Sequence, residues 1–241
     1  MHWPNGSNSY IGAQTSNAGL ISLFKLALVE KFELFSNTLL SVLLIMLDRI
    51  YVAATSQHVG KTTSTLGIVA AIRSKELNVG YCKPLGQEFV DLGDLKVDKD
   101  ALLFSKTMNF DLSAELHSPV ILGRGVTTSF LRDPEKYNFP EQVLHASREL
   151  QKMHDVVVYE GTGHPGVGSV IDLSNADVAK MLNASVIMVV EGGVGNTIDK
   201  LNANLSLFRE KDVPIAGVII NKVIPEKSDK IRELVGGKLD R

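Results

Sequence analysis

Cysteine is almost missing from this chain of 241 residues: Cys82 is the only one, so no intrachain disulfide can form. That suits a reducing compartment, and a cytoplasmic location is expected. Cys82 lies in an apolar strand candidate, which points to buried packing rather than to a nucleophile. An excess of either charge is missing too. The formal net charge of −2 offers no support for a nucleic-acid surface, and no nucleic-acid partner is expected. Long apolar runs are absent as well. Near the N-terminus the longest wholly uncharged apolar run is Leu39 to Leu47, interrupted by Ser41. A membrane span needs about 20 apolar residues, so no transmembrane segment is expected. No basic region precedes Lys25, as a secretory signal would require.

With 44% hydrophobic and 22% charged residues, the composition is that of a soluble globular chain long enough for one α/β domain. Residues 1–45 stand apart, with Lys25, Glu30, Lys31 and Glu33 their only charges. One reading is an amphipathic extension lying on a membrane or partner. The reading favoured here is that translation begins at Met46, immediately before the first strand. The domain organisation expected is an atypical extension over 1–45 and one α/β domain over 46–241.

Residues 55–63 read Thr-Ser-Gln-His-Val-Gly-Lys-Thr-Thr. They follow the apolar run Ile50–Ala54 and precede a helix-like segment from Thr62 to Leu77. Strand, tight loop ending in Gly-Lys-Thr, then helix is the arrangement that holds a nucleotide's phosphates. Loop N–H groups face the anion, and the helix N-terminus adds partial positive charge. Gln57, His58, Val59, Gly60, Lys61, Thr62 and Thr63 are therefore candidate nucleotide-phosphate contacts. Lys61 would reach the outer phosphates, and the Thr62 hydroxyl would ligate Mg²⁺. The usual motif has Gly six residues before the Lys, where this chain has Thr55.

Five runs rich in Val and Ile, at 50–54, 79–83, 155–159, 185–190 and 215–220, read as strands buried on both faces. Helix-like segments follow at Glu141–Met153, Asn175–Leu182 and Ile198–Lys211, with Ser174 or Asn175 as an N-cap. This alternation predicts an α/β fold, a P-loop NTPase with a mostly parallel sheet flanked by helices. Residues 86–140, broken by Pro119, Pro134 and Pro140, read as an insertion over the active face.

In such sheets ligands bind beyond the carboxyl ends of the strands. Glu160 ends the third strand, where a carboxylate can face the Mg²⁺ held by Thr62. Asp98 and Asp100 are further candidates for the metal shell, with Asp100 preferred. Lys83 ends the second strand, fixed by Pro84, and could steady charge on a transferred phosphoryl group. His164, in a Gly/Pro-rich loop, is expected to bond a loop carbonyl rather than a substrate.

Together these pieces resemble the dethiobiotin synthetase family of P-loop proteins and the related cobyrinic acid diamide synthases, over about residues 48–241. Ala54 to Thr62 is similar to that family's lengthened phosphate loop, with Ala54 where Gly is usual, and the family also lacks Gly at the Thr55 position. Lys83-Pro84, Asp100-Ala101-Leu102 and Glu160-Gly161 are similar to its Lys-Pro, Asp-Ala-Leu and Glu-Gly segments. The resemblance implies ATP and Mg²⁺ as cofactors. It also implies Thr62, Asp100 and Glu160 as metal ligands, and Asn221, in Asn221-Lys222-Val223, as the residue that recognises adenine. The departures lie on the substrate side. Gln87 stands where a Ser is usual, and Thr162 to Ser169 replaces Ala-Gly-Gly. Similar modules form the N-terminal ATP-binding portion of long phosphate acetyltransferases. The family continues past this chain's last residues, so a truncated domain is expected.

The expected activity is ligase-type: phosphoryl activation of a carboxylate or carbamate of an unidentified small molecule, with Lys61 and Lys83 in catalytic roles. The alternative is a nucleotide-sensing regulatory module without ligase activity. A homodimer is one assembly left open.

Overall fold

The computed structural model describes residues 48–91, 93 and 96–239. The expected extension over 1–45 lies outside them. The central sheet is built from β1 (Arg49–Ala54), β2 (Val79–Cys82), β7 (Val156–Glu160), β8 (Ser185–Glu191) and β9 (Ile215–Asn221), in the order β2-β7-β1-β8-β9 with every pairing parallel. These are the five apolar runs of the sequence. Between β2 and β7 lie short strands, β3 (Leu85–Gly86), β4 (Phe89–Asp91), β5 (Lys96–Asp98) and β6 (Val120–Ile121), paired as β3-β6 and β4-β5.

Helices cover both faces, as the alternation in β1 requires. Tyr51 and Ala53 point into one core cluster, whereas Ile50, Val52 and Ala54 point into the other. Helix α1 (Lys61–Arg73) buries Ile68, Val69 and Ile72 against the second cluster. Each such side chain contributes roughly 1.5–3 kcal/mol on full burial. Helix α2 (Lys99–Met108) lies on the same side through Ala101 and Phe104, and Phe104 stacks on Tyr81 with ring centroids 3.7 Å apart. Two short helices follow, α3 (Ala114–His117) and α4 (Val126–Arg132). Helices α5 (Phe139–Met153), α6 (Asn175–Met181) and α7 (Gly195–Glu210) close the opposite face.

Three local expectations change. Helix α1 stops at Arg73 rather than Leu77, because the chain turns through Glu76 at φ 63°. Helix α5 begins before Glu141, since Pro140 sits in its first turn, where a missing N–H costs nothing. Strand β9 is half-buried along its whole length rather than buried on both faces, because β8 is its only strand neighbour among the described residues.

The chain moves to one side of β1 for β2 and β7 and to the other side for β8 and β9. The carboxyl end of β1 is therefore the point where strand order reverses, and open α/β sheets bind ligands there.

Candidate functional site

Beyond that strand end lies a groove of about 270 Å³, walled by the loop after β1 on one side and by Gln87, Asp98 and Asp100 on the other. Gln57, His58, Gly60, Lys61, Thr62 and Thr63 line it. Val59 does not: its side chain packs into the core beneath, 2% exposed. The loop start is anchored by the Thr55 N–H, which donates 3.0 Å to Val189 O. Gly60 caps α1 in the left-handed region at φ 89°, with the Asn221 amide where a Cβ would stand, so only glycine fits. A larger groove of about 740 Å³ elsewhere, beside Glu115 and His145, holds none of the candidate site residues named above.

Glu160 is not itself on the groove wall; it lies fully buried at the end of β7, against the lining residues Lys61 and Thr62. The Thr62 hydroxyl donates to its Oε1 at 2.7 Å, Lys61 Nζ is 3.4 Å from the same oxygen, and the Tyr81 hydroxyl donates to Oε2 at 3.4 Å. Burial, then the Glu160 charge, pushes the Tyr81 phenol well above its ordinary value, so it acts only as a neutral donor.

Lys83, 5% exposed, forms a second charged group. Its ammonium bonds Asp100 and lies 3.5 Å from Asp98 Oδ1. Burial works against that charge, but the carboxylates of Glu160, Asp98 and Asp100 outweigh it and hold Lys83 above the usual lysine range. Burial raises Asp98, with the neighbouring Lys83 opposing. Asp98 also caps α2, accepting from the Asp100 N–H at 2.9 Å, and its other oxygen, beside Gly86, has no partner within the protein.

The structure thus brings Lys61, Thr62, Lys83, Asp100 and Glu160 together. Asn221 is not on the groove wall. It sits behind the loop, donating 2.9 Å to Val59 O. His164 is exposed, and its Nδ1 accepts from the Gly166 N–H at 3.2 Å, so its partner is a loop amide rather than the expected carbonyl.

The oxygen donors suit a small hard cation. Cis ligands on octahedral Mg²⁺ stand about 3 Å apart, close to the 2.7 Å between Thr62 Oγ1 and Glu160 Oε1. Among the described residues no three His, Cys, Asp or Glu side chains gather as a metal cage. Mg²⁺ commonly needs only one or two carboxylates, with phosphate oxygens and water completing its shell.

Sequence reasoning passed over Asn175 as a site residue. It is 2% exposed, and its amide oxygen accepts from Tyr51 Oη at 2.7 Å and Thr162 N at 3.0 Å. Its amide nitrogen donates to the carbonyls of Thr162 and His164 at 2.6 and 2.7 Å. Asn175 therefore holds the loop after Glu160 in place, a role with no local signal. Tyr81 had one, since it precedes Lys83 by two residues and shares its face of the strand.

A loop of this form at a strand-order reversal in a parallel sheet defines a P-loop nucleotide-binding protein. Comparison with known proteins narrows the class. A family model described as an AAA domain matches residues 48–238, and the chain belongs to that family, a dethiobiotin synthetase-like group of P-loop ATP-binding proteins. The chain is 27% identical over 192 residues to the phosphate acetyltransferase of Synechocystis, a match covering 78% of this chain and 27% of that protein. It is 25% identical over 177 residues to the ATP-dependent dethiobiotin synthetase of Methanocaldococcus jannaschii, covering 71% of this chain and 78% of that protein. The chain spans about a quarter of the length of the acetyltransferases it matches. The solved kinase domain of VpsO is similar in fold, with a TM-score of 0.50 at 13% identity over 87% of this chain and 100% of that one. No helix among the described residues is long and apolar enough to cross a membrane.

Proposed function

We propose that the chain binds Mg·ATP in this groove and uses it for ligase-type chemistry, activating a carboxylate or carbamate by phosphoryl transfer before attack by a nitrogen nucleophile. The observation that supports this most is the convergence of three strand ends. Lys61 and Thr62 follow β1, Lys83 follows β2 and Glu160 ends β7, so cations and carboxylates meet at one groove. Lys61 neutralises the outer phosphates. Thr62, Asp100 and Glu160 supply the oxygen ligands of Mg²⁺, which would spread the charge on the transferred phosphoryl group. Lys83, kept charged by its carboxylate neighbours, stabilises the negative charge that develops on the acceptor oxygen.

A second reading is a nucleotide-sensing module without ligase activity. The acetyltransferase relatives favour it, because there the matching segment is a minor part of a larger protein. The proposed setting is cytoplasmic, and a homodimer is an assembly for sedimentation to test.

One assay separates the readings. Purified protein is given ATP, Mg²⁺, bicarbonate and a panel of amines, and ADP release is followed. Amine-dependent ADP release supports the ligase, whereas tight ATP binding with negligible turnover supports the sensor. Diaminopelargonic acid is expected to be a poor substrate, because Gln87 and the loop from Thr162 to Ser169 alter the substrate side, and a site built for other polar groups discriminates by up to ~10⁴-fold. Cyclic urea formed from it at about 1 s⁻¹ or faster would overturn that expectation.

A further inference from the structure

The carboxyl end of β9 grips the phosphate loop from behind. Asn221 Nδ2 donates 2.9 Å to Val59 O, and Lys222 Nζ donates 2.6 Å to His58 O. The two acceptors are consecutive carbonyls. Asn221 is itself held, since its carbonyl accepts from the Gly192 N–H at 2.7 Å, and Lys222 Nζ lies 3.5 Å from Glu191 at the end of β8. His58 and Lys222 both stand in the left-handed region, at φ 60° and 55°, where non-glycine residues persist only under local constraint.

In a planar trans peptide the C=O and the following N–H point in opposite directions. The His58 carbonyl shares its peptide plane with the Val59 N–H, and the Val59 carbonyl shares its plane with the Gly60 N–H. Drawing both carbonyls toward β9 therefore turns both N–H groups away from β9.

We propose that Asn221 and Lys222 form a clasp that presets the phosphate loop for an anion, acting as positioning residues through the 58–59 and 59–60 peptide planes. The proposal rests on the nucleotide reading above. It assigns Asn221 a role separate from recognition of adenine: the clasp acts on phosphate binding whether or not a base is attached.

The test compares ATP with inorganic tripolyphosphate, which has no base, by calorimetry with Mg²⁺ present. Asn221→Asp keeps the shape and removes the donor, so both ligands should weaken by the same factor, about 10-fold. Lys222→Ala should weaken both, and Lys222→Arg, which keeps a donor, should restore them. A loss confined to ATP would make Asn221 a reader of the base alone and overturn the clasp, as would unchanged affinity for both ligands. A wild-type protein that binds neither ligand would sink the nucleotide reading, and a ligand-free measurement would then decide the clasp. Backbone ¹⁵N order parameters at Val59 and Gly60 should drop from rigid values near 0.85 toward 0.6 in Asn221→Asp, with the urea midpoint unchanged. Order parameters that stay rigid would overturn it. Should Asn221→Asp fail to fold, Lys222→Ala, altered at an exposed side chain, carries the same measurements.

Discussion

Lys61 and Lys83 show how placement divides two similar cations. Lys61 follows a left-handed glycine at the start of α1, 3.4 Å from a fully buried carboxylate, in the position where phosphate oxygens would compete for it. Lys83 is enclosed by Asp98 and Asp100 and has fewer ways to move. Replacing Lys61 by Ala should weaken Mg·ATP binding about 10-fold or more, since a charge-assisted hydrogen bond contributes roughly 1.5–3 kcal/mol. Calorimetry on folded protein checks this, and unchanged affinity would remove Lys61 from the phosphate site. His117 offers a pH-dependent test. Burial depresses its pKa, and Nδ1 lies 3.0 Å from both the amide nitrogen and the carbonyl oxygen of Ser113. Below about pH 6.5 the unfolded chain takes up a proton that the folded ring resists, so the unfolded state binds more protons there. The contribution of His117 to stability is therefore full above that pH and declines as pH falls through the depressed folded value. Urea midpoints measured from about pH 7 to pH 5 should fall more steeply for wild type than for His117→Gln, and parallel curves would contradict the assignment.

Among the elements, the loop after β7 depends on a side chain from the next helix. Asn175 satisfies two donors and two acceptors at once in a place without water access. Helix α6 is started firmly for this task by Ser174, whose side chain and Asp177 cap each other reciprocally. Asn175→Ala would leave the buried groups of Thr162 and Tyr51 unmet, and the part-buried His164 carbonyl with them, and should cost roughly 3 kcal/mol in urea unfolding. Tyr51→Phe, which removes one of those bonds, should cost about 1 kcal/mol. Equal effects from the two variants would mean that Asn175 serves only Tyr51.

At the scale of the whole molecule, the groove joins the loop after β1 to the segments that follow β2 and β7, so a ligand there links them. ATP with Mg²⁺ at about 100 times its dissociation constant should add ~2.7 kcal/mol to stability, which for a domain of this size raises the melting temperature by roughly 5–10 °C. Thermal unfolding with and without Mg·ATP checks this, and Lys61→Ala should lose most of the shift. A wild-type shift below about 1 °C under those conditions would count against nucleotide binding in the groove.

The local pattern of residues determined which segments became strands and helices, and which residues closed each strand. Apolar periodicity and Gly-Lys-Thr placement act over a few residues, so Lys61, Thr62, Lys83 and Glu160 could be named as strand-end chemistry before any fold was known. Only the tertiary structure decided which strand ends meet. The order β2-β7-β1-β8-β9 sets Glu160 beside Thr62, although 98 positions separate them in the chain. It also sets Asn221 against Gly60 and makes β9 a half-buried strand rather than the enclosed one its composition suggested. Asn175 carried no sign of its bracing role, because its partners come from β1 and from the loop after β7. The physical reason is one of range: propensity and periodicity are properties of neighbouring residues, whereas sheet pairing and buried hydrogen bonding are settled only when distant segments compete for the same partners.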